Sequence, residues 1–361
     1  MLQRVSPSLP LSDLRAEVQQ AAQAAALTYC SDEGAGITRR RSGTGFSYRD
    51  DKGRLVRDSI ELARIRSIAI PPAWTDVWIA PSPTCHIQAT GRDARGRKQY
   101  RYHARWAECR DEVKFGSLAA FGRAIPAIRR KVEEDLSRRG LPRERVIATV
   151  VWLLDNVMIR VGNLGYARQN RSFGLTTLRN RHVEIDGSTL RFAFRGKSGK
   201  EWNLRVTDRR IARIVKTAQD LPGQHLFQYV DGDGTRRSVA SHDVNAYLRE
   251  SGAEGFTSKH FRTWGGTVIA ADELGRTPCP AAKREAAMTL NAVIDRVAAK
   301  LGNTRTVCRN CYIHPLVIDS WLDGKLTGEL SAIRARGGRT PRWLDREEAV
   351  LLGWLESRGQ G

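Results

Sequence analysis

Between residues 290 and 301 the apolar side chains return at helical spacing. Leu290, Val293, Ile294, Val297, Ala298 and Leu301 occupy i, i+3, i+4, i+7, i+8 and i+11, the signature of an amphipathic helix. Gly302 stands where such a helix expects its terminating glycine. Upstream the period changes to two. Leu190, Phe192 and Phe194 alternate with other residues, as do Trp202, Leu204 and Val206, which predicts strands with one buried face. With residues 182–185 before them and turns at Asp186-Gly187 and 196–200, they read as a three-stranded antiparallel meander. Further helices are expected over 118–138, 145–161 and 344–356, and over 14–29 behind an N-cap at Ser12. Residues 30–105 have another texture, with short β-prone runs at 43–48, 54–56 and 74–79 separated by turn residues. Tyr100 and Tyr102 share one face of a strand there. The expected fold is α+β. It comprises a small, mainly β N-terminal domain (1–106, led by the first helix), a larger, mostly helical domain containing the meander (107–330), and a C-terminal tail with a helix (331–361). The linker between the domains is expected near 104–115, and a Gly/Arg-rich linker at 335–340.

Composition narrows the partners. The chain has 361 residues, enough for about two domains, and its 41% hydrophobic and 27% charged residues exclude a wholly disordered chain. The longest apolar run, 146–154 with Thr149 counted, has nine residues, against ~20 for a transmembrane helix. Six cysteines are too sparse for a disulfide framework, and the first residues lack a charged-then-apolar signal pattern. A cytoplasmic, nucleoid-associated protein is therefore expected. Sixty Lys and Arg against 39 Asp and Glu leave a net charge of +21. That excess destabilises a compact chain by self-repulsion and points to a polyanion, with nucleic acid first. A membrane surface is the weaker reading, since no basic amphipathic helix stands out.

Several positions have the right chemistry for phosphodiesters. The stretch 92–105 holds Arg92, Arg95, Arg97, Lys98, Arg101 and Arg105 beside one acid, Asp93. Such basic groups neutralise phosphates, and Gln99, Tyr100 and Tyr102 can reach bases or sugars; the plain alternative is a solvated charged hairpin. Breaking a phosphodiester requires a nucleophile, an acid for the leaving oxygen and cations on the non-bridging oxygens, for which the planar guanidinium fork is best suited. Arg160 is unusual because it closes an apolar helix, where it either snorkels or faces a site. Lys197 sits at a hairpin tip, an ordinary turn lysine or a mobile acid. Its Gly-Lys-Ser run is no P-loop, because Arg191 stands where the first glycine is required. Cys308-Arg309-Asn310-Cys311 lacks the two further ligands of a structural zinc site. Tyr312 reads either as a packed helix residue or, since Pro315 should end its helix, as a phenol near a site.

Taken together, these segments resemble the type IB DNA topoisomerases of the small poxvirus and bacterial kind. The resemblance spans about 37–330, with its motifs in the family's order. Ile70-Pro71-Pro72-Ala73-Trp74 and Gly96-Arg97-Lys98-Gln99-Tyr100 are similar to the N-terminal clamp. Ile159-Arg160-Val161-Gly162-Asn163 and 173–178 resemble the start of the catalytic domain. Phe194-Arg195-Gly196-Lys197 resembles the hairpin lysine, Lys259-His260-Phe261-Arg262-Thr263-Trp264 the KxxRT segment, and 307–313 the tyrosine segment. The resemblance implies that Tyr312 is the nucleophile, forming a 3′-phosphotyrosyl link. It further implies that Arg160 and Arg262 hold the non-bridging oxygens and that Lys197 protonates the leaving 5′ oxygen, with help from Arg160. Strand rotation and religation would follow without ATP, metal or any cofactor. The fifth catalytic position is Asn303, where poxvirus enzymes have histidine. An amide still donates a hydrogen bond but does not titrate near pH ~6.5, so a transition-state hydrogen bond is expected of it. Arg97, Lys98, Gln99, Tyr100 and Tyr102 from the clamp, and Asn163, Tyr166 and Lys259 from the catalytic domain, are the implied contacts to double-stranded DNA. Asn163 departs from a poxvirus lysine, so the poxvirus recognition sequence is not carried over. A monomer is expected from the resemblance.

Two other readings compete. Tyrosine recombinases share the catalytic fold and the Arg, Lys, Arg, Tyr set, but usually carry His three residues before the second Arg. Lys259 occupies that position here, and His260 is one residue too late. A non-enzymatic basic DNA-binding protein would explain the charge but not the coincidence of Arg160, Lys197, Arg262, Asn303 and Tyr312.

Overall fold

The computed structural model describes residues 26–94, 96–106, 115–336 and 340–359. Of the helix expected over 14–29 only 26–29 lie within them, and there the chain forms a turn and a β-bridge from Thr28 to Cys85, not a helix; 107–114 and 337–339 of the two expected linkers lie outside. The chain divides into two compact units, Met1–Lys114 and Phe115–Gly361. Among the described residues no helix is long and apolar enough to cross a membrane. The α+β class holds, a sheet-built first unit being followed by a mostly helical second one.

The first unit is built on a five-stranded antiparallel sheet of order β2-β1-β3-β4-β5. The strands are β1 (Ile37–Ser42), β2 (Gly45–Arg49), β3 (Thr75–Ile79), β4 (Ile87–Arg92) and β5 (Lys98–Tyr102). Ile37, Val77, Ile79 and Ala89 bury one face against Ile65 of α1 (Ser59–Ser67). The mixed sequence of α1 hid it from periodicity. It is held by its cap, the Asp58 carboxylate accepting from the Ile60 and Glu61 N–H groups. Arg64 then ties it to the sheet, donating to the Ala80 carbonyl at 2.7 Å and to Gln88 Oε1 at 3.2 Å. Among the described residues one disulfide, not a framework, joins Cys30 to Cys85.

In the second unit α2 (Leu118–Leu136) packs on α3 (Arg143–Val157). Nearly every residue of α3 from Val146 to Leu154 is buried, which is why its apolar run had no polar face. The meander forms as β6 (Val183–Asp186), β7 (Thr189–Arg195) and β8 (Glu201–Thr207), all antiparallel. Leu190, Phe192, Phe194 and Trp202 point into the core. Then follow α5 (Arg209–Gln219), a small hairpin β9 (Gln228–Val230) and β10 (Arg236–Ser238), and α6 (Ser241–Glu250). The chain continues through α7 (Ser258–Gly275), α8 (Lys283–Leu301), α9 (Arg305–Cys311), α10 (Pro315–Leu322), α11 (Leu326–Ala335) and α12 (Arg346–Ser357), with α4 (Leu164–Asn170) preceding the meander. α11 runs through residue 330, and α12 packs on α2, α7 and α11 within the same unit. Its Glu348, together with Asp155 of α3, grips Arg129 of α2 at 2.6 and 2.7 Å, and Trp264 donates to Glu348 at 2.9 Å.

Two expected helix ends are displaced. α3 stops at Val157, not 161, because Met158 turns left-handed (φ 59°) and caps it. Tyr312 is the cap of α9, and Pro315 begins the next helix instead of ending this one. A proline at the first helical position forfeits no hydrogen bond.

Candidate active site

Because α3 ends early, Arg160 lies in extended chain beyond it. That chain is pinned by backbone bonds from Leu175 N–H to the Arg160 carbonyl (2.9 Å) and from Thr176 N–H to the Val161 carbonyl (2.7 Å). The contact requires glycine: a Cβ at Gly174 would stand 2.5 Å from the Arg160 carbonyl oxygen. Asn163 caps α4, its Oδ1 accepting from Tyr166 N–H at 2.9 Å. This fixes Asn163 and Tyr166 beside Arg160.

Arg262 arrives from α7, one turn past its start, and is 3% exposed. Its guanidinium donates to the carbonyls that end two other helices, Met158 after α3 and Leu301 of α8, the latter at 2.7 Å. Burial pushes its pKa down and the charge of Arg160 adds to that, while the Tyr312 phenol opposes it through its charge and a hydrogen bond. The guanidinium carbon lies 4.9 Å from the centroid of the Tyr312 ring. Tyr312 is set by the end of α9, its N–H bonding the Cys308 carbonyl at 2.9 Å. Its own carbonyl packs so close to α7 that a Cβ at Gly266 would come within 2.6 Å of it.

Gly302 ends α8 with φ 60° and hands the chain to Asn303. Asn303 Oδ1 accepts from an Arg160 Nη, and its amide nitrogen leans on the Leu301 carbonyl at 3.4 Å. Lys197 stands exposed at the β7–β8 tip, where Gly196 N–H bonds the Lys200 carbonyl at 2.8 Å. The Trp202 indole spaces this tip from Asn303. A Cβ on Gly196 would meet it at 2.6 Å and one on Gly302 at 2.3 Å.

Arg160, Lys197, Arg262 and Tyr312 thus line one cavity of about 410 Å³, together with Asn163, Tyr166 and Lys259. No carboxylate lines it, so four cationic side chains face it without a neutralising neighbour in its wall. Asn303 stands behind Arg160. The arrangement is an anion site with a phenol at its wall, suited to a phosphodiester.

Residues 103–322 match the family described as eukaryotic DNA topoisomerase I, catalytic core. Residues 45–93 match the bacterial DNA topoisomerase IB N-terminal domain. The DNA topoisomerase 1B of Acanthamoeba polyphaga mimivirus is 33% identical over 287 residues, covering 77% of this chain and 85% of the relative. The chain belongs to the type IB DNA topoisomerases. The DNA topoisomerase 1B of Vaccinia virus is similar at 20% identity over 267 residues, 71% of this chain and 80% of its own. The DNA topoisomerase 1 of Mycosarcoma maydis is 27% identical over 176 residues, 44% of this chain and 17% of that protein. As a type IB topoisomerase the protein is an isomerase acting on DNA, and the non-enzymatic alternative gives way.

The remaining candidates of this topoisomerase lie in the first unit, on β5 and the turn before it. Arg97 and Gln99 both bond Asp93, at 2.8 and 2.9 Å, and Lys98 pairs with Asp32 at 2.5 Å. Tyr100 and Tyr102 stack at 5.9 Å on an exposed face of this edge strand. Sequence reasoning overlooked three parts of the site: the Met158 and Leu301 carbonyls that hold Arg262, the spacer Trp202, and Ser258 in the cavity wall. Trp202 was legible only as an apolar position of the meander, and backbone carbonyls leave no signal. Cys308 is buried beside Asn303 and Arg262, with burial raising its pKa, while Cys311 is exposed.

Proposed function

We propose that the enzyme relaxes supercoiled DNA by reversible transesterification at this cavity. The Tyr312 phenol gives up its proton to solvent water and its oxygen attacks a backbone phosphorus; the Tyr–O–P bond forms as the P–O5′ bond breaks. Arg160 and Arg262 take the two non-bridging oxygens, whose charge grows in the transition state. Lys197 gives its proton to the departing 5′ oxygen. Asn303 orients Arg160 and offers its amide N–H to the phosphorane. The phosphodiester energy is kept in the 3′-phosphotyrosyl bond, so resealing requires no ATP, and the cations present replace a metal. Between the two steps the free 5′ end rotates.

The observation that carries this reading is the meeting of a phenol, two arginines and a lysine around one acid-free cavity, although they come from four separate stretches of chain. Asn163, Tyr166 and Lys259 at the same cavity are read as DNA contacts. The stacked Tyr100 and Tyr102, with Arg97, Lys98 and Gln99, are read as contacts from the first unit. One chain carries every group named, so a monomer suffices for the chemistry. The nucleoid is its place of action.

The test is relaxation of supercoiled plasmid in EDTA without ATP. Wild type should relax it and, on denaturation, remain on a DNA 3′ end; Tyr312→Phe should bind DNA and do neither. Relaxation by Tyr312→Phe would overturn the nucleophile, and dependence on ATP or a divalent ion would overturn the metal-free route.

A further inference from the structure

Phe173 lines the catalytic cavity on one side and, on the other, a second cavity of about 390 Å³. The second cavity's remaining lining is Ala167, Arg168, Arg171, Arg179 and Arg181. Four arginines therefore surround a space that shares a wall with the reaction site. A smaller cavity of about 80 Å³, reached past Phe173, Arg168 and Arg179, adds His225 to the same region.

The charges there are not neutralised within the protein. Among the described residues none of the four arginines makes an ion pair, whereas other arginines of the unit do, such as Arg210 with Glu133 and Arg305 with Asp295. Neither cavity is lined by a carboxylate. Arg179 is held in place, donating to Gln224 at 3.0 Å and lying 5.6 Å over the Phe173 ring. Arg171 is left-handed (φ 49°) at the end of α4, a conformation that glycine or asparagine would adopt at less cost. The two nearby histidines register the same field. His182 and His225 are pushed down first by burial and then by these arginines.

We infer that Arg168, Arg171, Arg179 and Arg181 form a backbone track for the DNA strand running on from the reacting phosphate past Phe173. The track takes phosphates flanking the scissile one and reads no bases. An uncompensated arginine cluster continuous with a phosphodiester site is the arrangement that consecutive phosphates of one strand would fill. This inference rests on the reading of the first cavity as the reaction site.

The experiment measures duplex binding by the full-length protein against salt concentration, comparing wild type with an Arg168→Gln/Arg181→Gln double variant. Both positions are exposed, so folding should survive. Each phosphate contact contributes about 0.9 to the slope of log K against log salt. The double variant should therefore lose about 1.8 from the slope and bind roughly 60-fold more weakly at 0.1 M salt. Arg168→Lys/Arg181→Lys should restore the slope. The control is Lys283→Gln/Arg284→Gln at the far end of α8, about 28 Å of helix from Leu301; it removes the same charge and should change the slope far less. A second measurement replaces single phosphates by neutral methylphosphonates. Wild type should be sensitive at positions beside the cleavage point to which the double variant has become indifferent. A slope unchanged in the double variant, an equal fall in the control, or the same sensitive positions in both proteins would overturn the track. The two readings fail separately. An unchanged slope refutes the track whether or not Tyr312 cleaves, and plasmid relaxation by Tyr312→Phe refutes the nucleophile whatever the slopes.

Discussion

Replacing Asn303 by alanine tests the position at which the resemblance expects a poxvirus histidine. The side chain makes two contacts, accepting from Arg160 and resting its amide nitrogen at 3.4 Å from the Leu301 carbonyl. The second is too long to contribute much. The first is a hydrogen bond to a charged donor, worth about 1.5–3 kcal/mol. Removing it lets the half-buried Arg160 fork choose other rotamers, and the amide donor to the phosphorane is lost as well. At 1.36 kcal/mol per decade the expected cost is a single-turnover cleavage rate lower by roughly 10- to 150-fold. Ground-state affinity should hardly move, because the phosphate contacts are numerous and both arginines keep their charge. Asn303→Asp should be slower than Asn303→Ala, since a carboxylate would pair with Arg160 and compete with the phosphate for it. The assay is cleavage of a short duplex whose 5′ leaving fragment diffuses away, run beside a binding titration in the Tyr312→Phe background. Cleavage within threefold of wild type would refute the reasoning. So would an affinity loss as large as the rate loss, which would mean that Asn303 merely helps to hold the ground state.

Three further outcomes follow from the same geometry. Gly302→Ala forces a Cβ to 2.3 Å from the Trp202 ring at φ 60°; it should cost at least about 2 kcal/mol in chemical unfolding and slow cleavage, and an unchanged midpoint would contradict the packing. Arg129→Ala strands the buried Asp155 and Glu348 carboxylates and should destabilise the second unit by about 3–5 kcal/mol; a loss below 1 kcal/mol would show that the knot is solvated. His314 and His182 are buried and held near pKa 4 by desolvation, so the unfolded chain binds more protons between about pH 4 and 6.5. Stability should be full above that window and fall through it as pH drops, by up to about 3 kcal/mol per histidine. His314→Asn, which can keep the cap on α10, should flatten the decline, and equal acid sensitivity in the variant would refute this assignment.

Much of this molecule was legible from the chain, and the parts that were not have physical reasons. The helix 290–301 and the meander 182–206 were readable because each buries one face, which imprints a period on the sequence. α1 was not readable, because a capping aspartate and one arginine hold it instead of an apolar stripe. The end of α3 was hidden because a methionine, not a glycine, takes the left-handed turn at 158. Tyr312 and Pro315 were misassigned to one helix, since a proline can end a helix or begin one. At the site, Arg160, Lys197, Arg262 and Tyr312 could be singled out by their chemistry and order. The groups that orient them are two backbone carbonyls and an indole, and main-chain oxygens carry no letter in a sequence.

The Trp202 indole fills the space between Gly196, beside Lys197, and Gly302, beside Asn303. Neither glycine has a side chain to yield, and a close-packed interior passes displacement on instead of absorbing it. The hairpin and the loop are therefore one lever with the indole as its fulcrum. A strand end that draws the lysine inward must shift the asparagine loop in the same stroke, and with it the grip on Arg160. On the proposed roles, proton delivery and phosphorane clamping engage together, so a poorly seated strand meets neither.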